Sequence, residues 1–323
     1  MDSLRLGTRG SQLALFQANT VAGLIQRESG VACDIEVIRT SGDRLADARL
    51  AEVGGKRLFV KEIEDALLAG TVDLAVHSSK DMPALLPDGL VVGAVLPRED
   101  ARDAIVLPQG AGMSLSLDDV IAKLGPAPRI GTSSIRRTAQ LLRLFPGARF
   151  LPIRGNLDTR LRKLDSGEYD ALVLAAAGLK RLEHGTRISA LLPPDVCVPA
   201  PGQGIIAVEI RGNDAKVGAC VTAINDPVAE AALAAERAVV VRLGGGCQMP
   251  IGAYAAVSGD ALTLTAIVIS VDGTRTAHAE AHGRLADADR IGAEAAELLL
   301  SRGAGDILAG VERARATVEG LQP

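Results

Sequence analysis

Apolar residues recur along this chain in two rhythms. Leu4 to Gly7 is a short run that predicts a strand, and Ser11 to Ser29 has helical spacing, with Leu13, Phe16, Val21 and Leu24 as its expected buried side. Asp34 to Thr40 predicts a second strand, Leu58 to Ala69 a helix, and Val72 to His77 a buried strand ending in Ser-Ser-Lys-Asp-Met-Pro. The polar stretch from Ser41 to Arg57 is long for an ordinary connection and has the composition of a lid or a disordered segment. Repeated strand-helix-strand units imply parallel sheets.

A second set of units begins near Asp103. Strands are expected at Ala104 to Leu107, Arg129 to Gly131, Arg149 to Ile153 and Ala171 to Ala175, with helices at 117–124, 134–144 and 157–165 between them. The segment Pro199-Ala-Pro-Gly-Gln-Gly204 then leads into an apolar run, Ile205 to Ile210, where the chain is expected to return to the first domain. From Asp226 the pattern gives an Ala-rich helix to Val241, three alternating strands between Gly252 and Gly283, and a C-terminal helix pair. The expected fold is two periplasmic-binding-protein-like α/β lobes around a cleft, plus a small α+β C-terminal domain with a three-stranded sheet. The expected boundaries are 1–99 with 200–222, 100–199, and 223–323.

Composition narrows the chemistry. With 323 residues, 48% of them hydrophobic, but no Trp, 4 Phe and 2 Tyr, the cores must be aliphatic and base stacking has little support. A net charge of −4 gives no general reason to expect nucleic acid or an anionic membrane as partner. The N-terminus has no apolar leader core and no later stretch is long and apolar enough to span a bilayer, so a cytoplasmic protein is expected. Cys33, Cys197, Cys220 and Cys247 form neither a disulfide framework nor a zinc module. His278 and His282 stand in an alternating strand pattern, which argues against a metal pair.

The polar motifs fall at strand ends, where α/β sheets bind ligands. Thr8-Arg9-Gly-Ser11 follows the first strand, His77-Ser-Ser-Lys80-Asp81 another, and Gly131-Thr-Ser133-Ser134-Ile-Arg136-Arg137 and Arg154-Gly155-Asn156 two more. Gly131 to Arg137 reads as a strand-to-helix turn with a hydroxyl cap, whose free amides and two guanidinium groups make an anion receptor. Arginine binds carboxylate or phosphate with two parallel bonds, and no dinucleotide or P-loop motif is present, so a small polyanion is expected. Arg143, Arg162 and Lys163 read as solvated helix positions.

Asp81, after an apolar strand and beside Lys80, is the carboxylate placed for proton chemistry, with turn capping before Met82-Pro83 as its plainer role. Asp43 reads as a loop residue and Glu62 as an exposed helix position. Cys247, in Gly244-Gly-Gly-Cys-Gln-Met-Pro, is either a thiol cleared for attachment or a small buried hydrophobe beside a turn.

Seven segments in register resemble the porphobilinogen deaminase (hydroxymethylbilane synthase) family. They are Arg9-Gly-Ser11, Gly55-Lys56-Arg-Leu-Phe59-Val-Lys, Val76 to Pro83, Gly131 to Arg137, Arg154 to Arg160, Pro201-Gly-Gln203-Gly204 and Gly245 to Ile251. The resemblance implies a dipyrromethane cofactor, one per chain, held by a thioether on Cys247. It implies that four porphobilinogen molecules lose ammonia, couple head to tail and leave as hydroxymethylbilane. Asp81 matches the family's catalytic aspartate. Ser11, Lys80, Asp81, Ser133, Arg136, Arg137, Arg154, Gly155 and Gln203 are implied as cofactor contacts. Arg9, Ser11, Lys56, Phe59, Arg154, Arg160 and Arg181 are implied as substrate contacts. The family expectation is a monomer.

Two positions depart from the family pattern, which has Glu at Gly244 and Gly at Arg57. Gly244 is expected to loosen the cysteine loop. Two other readings remain for the residues themselves: an anion-binding module of the same architecture, and a thiol enzyme with Cys247 as nucleophile and His77 as base.

Overall fold

The computed structural model describes residues 3–41, 60–245 and 249–319, the last six by backbone alone. The chain opens with β1 (Ser3–Thr8), α1 (Gln12–Ser29), β2 (Ala32–Val37), α2 (Lys61–Leu68), β3 (Leu74–Ser78) and β4 (Leu90–Val95). It crosses to a second sheet built from β5 (Asp103–Val106), α3 (Leu117–Leu124), β6 (Arg129–Gly131), α4 (Ile135–Leu141), β7 (Arg149–Leu151), α5 (Leu157–Asp165), β8 (Ala171–Ala175), α6 (Ala176–Arg181) and β9 (Ala190–Leu192). It then crosses back with β10 (Ile206–Arg211) and α7 (Ala215–Thr222). The remainder is α8 (Pro227–Arg242), β11 (Ile251–Ser258), β12 (Ala261–Ile269), β13 (Thr276–Arg284), α9 (Ala288–Ser301) and α10 (Ala304–Glu319).

Two α/β lobes result, each with a five-stranded sheet, in the orders β2-β1-β3-β10-β4 and β7-β6-β8-β5-β9. The expected parallel sheets are in fact mixed. β10 runs antiparallel to β3 and β4, and β5 runs antiparallel to β8 and β9. Both are the first strand after a crossing, so each enters its sheet from the opposite end to the strands that follow helices. β4 and β9, next to these two strands, were not predicted by the periodicity.

Capping chemistry fixes several helix starts. Ser11, Ser134, Asn156, Asp214 and Asp226 each accept a backbone N–H two or three residues into their helix, and Ser116 with Asp119 forms a capping box. The stripe of α1 matches the prediction in part, at Val21. Gln17, Ala18, Val21 and Ile25 are buried, whereas Phe16 is 41% exposed and Leu13 and Leu24 are half-buried.

The third domain is a continuous antiparallel sheet, β11-β12-β13, covered by α8 and α9. Ala277, Ala279 and Ala281 point to its core, and His278 and His282 face solvent. α8 ends in a Schellman motif: Gly244 N–H donates to Val241 O and Gly245 N–H to Val240 O, with Gly244 at φ 64°. Gly244 is therefore the left-handed residue that ends α8. Gly246, Cys247 and Gln248 lie outside the described residues.

The two crossing segments are bonded to each other. Leu96 N–H donates to Ile206 O and Glu99 N–H to Gly204 O, both at 3.0 Å. A Cβ at Gly204 would stand 2.3 Å from Glu99 O, so only glycine permits this approach. The third domain is joined here through Glu236 of α8, which is fully buried. It accepts from Arg98 Nη1 at 2.5 Å, Gly202 N at 2.6 Å and Ala255 N at 2.8 Å. Arg98 also donates to Gln203 O at 2.9 Å and stacks over Tyr254.

Candidate functional site

The sequence-predicted residues gather at two adjoining places. Arg9, Ser11 and Asp81 line one cavity with Gln17, His77 and Ser78. Ser11 sits there because it caps α1, accepting from Ala14 N at 3.3 Å. Gln17 Nε2 donates to Ser78 Oγ at 2.9 Å, tying α1 to the end of β3. After Ser78 the chain makes one 3-10 turn, Ser79–Asp81, pinned by Ser79 N–H on Ile205 O. That turn leaves Asp81 exposed, with no hydrogen bond to its carboxylate from any described residue, so the capping role does not describe it.

The second place is a cluster of cations around one buried carboxylate. Asp103, the first residue of β5, is fully buried. Its oxygens stand 2.8 Å from Arg136 and 2.7 Å from Arg137, and it accepts from Gln203 Nε2 at 2.9 Å. Burial alone would raise its carboxyl, but Arg136 and Arg137 more than offset that and hold it far below the usual carboxylate range. Arg137 spends its Nη1 on Val173 O. Arg136 meets Asp103, Val198 O and Cys197 through Nη1, which leaves its other guanidinium nitrogens for an incoming anion.

More positive charge is present than these acids balance. Lys80 Nζ lies 3.4 Å from Gln203 Oε1, and burial followed by Arg137 pushes its ammonium down to about 8, against the pull of Asp81 and Asp103. Arg160 is lowered by burial and by Arg137 in the same way, and donates to Gly155 O at 2.8 Å. Arg181 is lowered by burial and donates to Gly204 O at 2.7 Å, beside Gln203. Cations gathered in a partly buried space beside one carboxylate describe a receptor for carboxylates.

Other predicted positions have structural duties as well. Ser133 Oγ donates to Ile153 O at 2.7 Å and accepts from Ile153 N at 3.0 Å, clamping two strand ends. Arg154 and Gly155 lie in the turn after Ile153, Gly155 at φ 105°. Glu62 is half-buried and accepts from Ser41 N at 2.7 Å and from its hydroxyl, which corrects the expected exposed position. Arg143, just past α4, donates to Thr276 Oγ1 at 3.0 Å, linking the second lobe to the third domain. Asp43, Lys56, Arg57, Phe59 and Cys247 lie outside the described residues.

Sequence reasoning missed Asp103 as the anchor of the cluster, and the pair His77–Glu209. The signals were there: Asp103 heads the apolar run Asp-Ala-Ile-Val, and Glu209 interrupts Ile-Ile-Ala-Val-Glu-Ile. A charge inside a buried strand needs a partner.

Two family models match the chain: "porphobilinogen deaminase, dipyromethane cofactor binding domain" over residues 4–219, and "porphobilinogen deaminase, C-terminal domain" over 231–301. A porphobilinogen deaminase of Syntrophobacter fumaroxidans is 46% identical over 312 residues, 96% of this chain and 98% of that one. One from Nitrobacter hamburgensis is 48% identical over 300 residues, 92% of each. Among solved structures, substrate binding domain 2 of Lactococcus lactis GlnP in open conformation is similar at a TM-score of 0.43 and 11% identity, over 69% of this chain and 88% of that one.

Proposed function

Because the chain belongs to the porphobilinogen deaminase family, acts on porphobilinogen and carries a dipyrromethane, we propose that the two places above are one active site. The family's reaction is head-to-tail polymerisation of four porphobilinogen units with loss of ammonia, followed by release of hydroxymethylbilane. The observation that carries the site reading is the surplus of cations gathered about Asp103 and Asp81, with Arg136 and Arg137 buried and Lys80 and Arg160 half-buried. Arg137 stands close enough to lower the charged forms of both Lys80 and Arg160.

The chemistry of these donors fits a cofactor whose pyrroles bear carboxylates. In this reading Cys247 holds the dipyrromethane by a thioether. Arg136, Arg137, Arg154 and Lys80 pair with its carboxylates, and Ser11, Ser133, Gly155 and Gln203 add hydrogen bonds. When bound, the dipyrromethane supplies the acceptor pyrrole for the first coupling. Asp103 holds both guanidinium groups in place before any carboxylate arrives.

Arg9, Ser11, Arg154, Arg160 and Arg181, with Lys56 and Phe59, receive the incoming porphobilinogen. Asp81, exposed to the cavity, meets its pyrrole N–H, stabilises the cation left when ammonia departs, and takes up the proton that coupling releases. Its position supports this. The cavity carries Arg9 and Ser11, and Asp81 acts electrostatically on both Lys80 and Arg160.

We also propose a cytoplasmic monomer with no nucleic acid or membrane partner, and domain boundaries of 1–99 with 200–222, 100–199, and 223–323. The net charge of −4 and the separate core of each sheet support these, and among the described residues no helix is long and apolar enough to cross a membrane. Light scattering checks the monomer.

The deciding experiment is intact mass under reducing conditions, before and after adding porphobilinogen, for the wild type, Cys247→Ser and Asp81→Asn. The expected result is an excess of two deaminated pyrrole units on the wild type, none on Cys247→Ser, and a loaded Asp81→Asn that adds no further units. An unmodified, unreactive wild type removes the cofactor assignment, and an Asp81→Asn enzyme that turns over removes Asp81 from its role.

A further inference from the structure

One buried pair of titratable groups adjoins the Asp81 cavity and has no part in the scheme above. His77 and Glu209 lie on adjacent antiparallel strands, His77 opposite Ala207 and Glu209 opposite Ala75, so their side chains meet diagonally on one face. His77 Nε2 is 3.0 Å from Glu209 Oε2. Glu209 is fully buried and His77 is 5% exposed, and the second carboxylate oxygen, Oε1, has no hydrogen-bond partner among the described residues.

Such a carboxylate is costly to bury, and its neighbours do not compensate for it. α2 packs against β3 and β10, and Glu64 is the one charged residue among its buried positions. Arg211, further along β10, is committed to Asp214, Asp73 and two carbonyl groups. Arg9 and Asp81 stand at the cavity. The imidazole is thus the hydrogen-bond partner that the described structure gives Glu209. A link needed only to join β3 to β10 would be made at less cost by apolar residues, as Ala75, Val76, Ala207 and Val208 already do.

The location gives the pair a role. His77 lines the same cavity as Asp81, and the chain after it passes through Ser78 into the 3-10 turn that carries Asp81. We propose that His77 is a positioning residue for Asp81: Glu209 fixes the ring through Nε2, and the ring in turn sets the charge and orientation of the cavity wall that Asp81 shares. This rests on the reading of Asp81 as the catalytic carboxylate.

The test combines turnover with a readout that needs none. Glu209→Gln keeps an acceptor oxygen for Nε2 and removes the charge. The expected result is a fall in kcat of about tenfold, KM within about twofold of wild type, and a displaced pH profile of kcat. Intact mass should show the same cofactor load. Where Glu209→Gln does not fold, His77→Gln, whose amide donates to Glu209, carries the same expectation. Separately, 15N-histidine spectra of the wild type should show His77 protonated on Nε2, with its ring signals moved by Asp81→Asn. Wild-type kcat and pH profile in the folded variant overturn the proposal, as do His77 signals indifferent to Asp81→Asn. Turnover by Asp81→Asn itself points instead to a failure of the Asp81 assignment, which the histidine spectra distinguish.

Discussion

Replacing Asp103 by Asn tests the core of the cation cluster. Asn keeps the volume of Asp103 but turns an NH2 group toward donors, leaving Arg136 and Arg137 buried without the carboxylate that now lies 2.8 and 2.7 Å from them. Removing one partner of a buried ion pair costs about 3–5 kcal/mol, and since two cations share this partner the upper half of that range, about 4–5 kcal/mol, is expected. At 1.4 kcal/mol per tenfold change, this lowers the folded ratio of the second lobe by about three powers of ten. The assay is urea unfolding of cofactor-free protein followed by amide exchange in β5 and α4. Asp170→Asn is the control, because its 2.7 Å pair with Arg129 is about 40% exposed on both sides and is worth about 1 kcal/mol at most. The pH sign is also fixed. Asp103 is held below its ordinary value, so its contribution is complete above the usual carboxylate range and is lost only as pH falls beneath it. A loss within about 1 kcal/mol of the control would refute the reasoning.

Two further outcomes follow from single residues. Lys80 has its ammonium pushed down to about 8, so its charged form penalises the folded state below that pH, and the penalty is relieved as pH rises toward the ordinary lysine value. The melting temperatures of cofactor-free wild type and Lys80→Gln should therefore converge between about pH 8 and 10, and a constant gap contradicts this. Gly244→Glu restores the family's residue at a left-handed position where a Cβ meets nothing within 4 Å, so only backbone strain of about 1 kcal/mol applies. Amide exchange in the last turn of α8 should quicken about fivefold, and unchanged exchange contradicts the Schellman assignment.

What was legible in the sequence was whatever depends on local pattern. Arg129–Gly131, Ala171–Ala175, 117–124 and 157–165 appear as read, because each combines a strong period with turn or cap residues. Strand direction was not legible, since β5 and β10 have the same apolar pattern whichever end they enter from. The face of α1 was only partly legible, because Gln17, a polar residue, is buried by its bond to Ser78, an arrangement periodicity counts as solvent-facing. Likewise the arginines were legible as an anion receptor, but Asp103, 33 residues before Arg136, becomes their anchor only once β5 lies beside β8. Glu209 and His77 are separated by 132 residues, and only the pairing of β10 with β3 brings them together.

The paired crossings between the lobes have a mechanical consequence. Leu96 with Ile206 and Glu99 with Gly204 make the two segments a short ribbon held by backbone hydrogen bonds. Pulling its strands apart breaks those bonds, whereas twisting it spreads small φ and ψ changes over many residues. The compliance of the molecule is therefore torsional. Gln203, in the segment that carries this ribbon, bonds Asp103 of the second lobe, so the cation cluster is tied directly to the crossing.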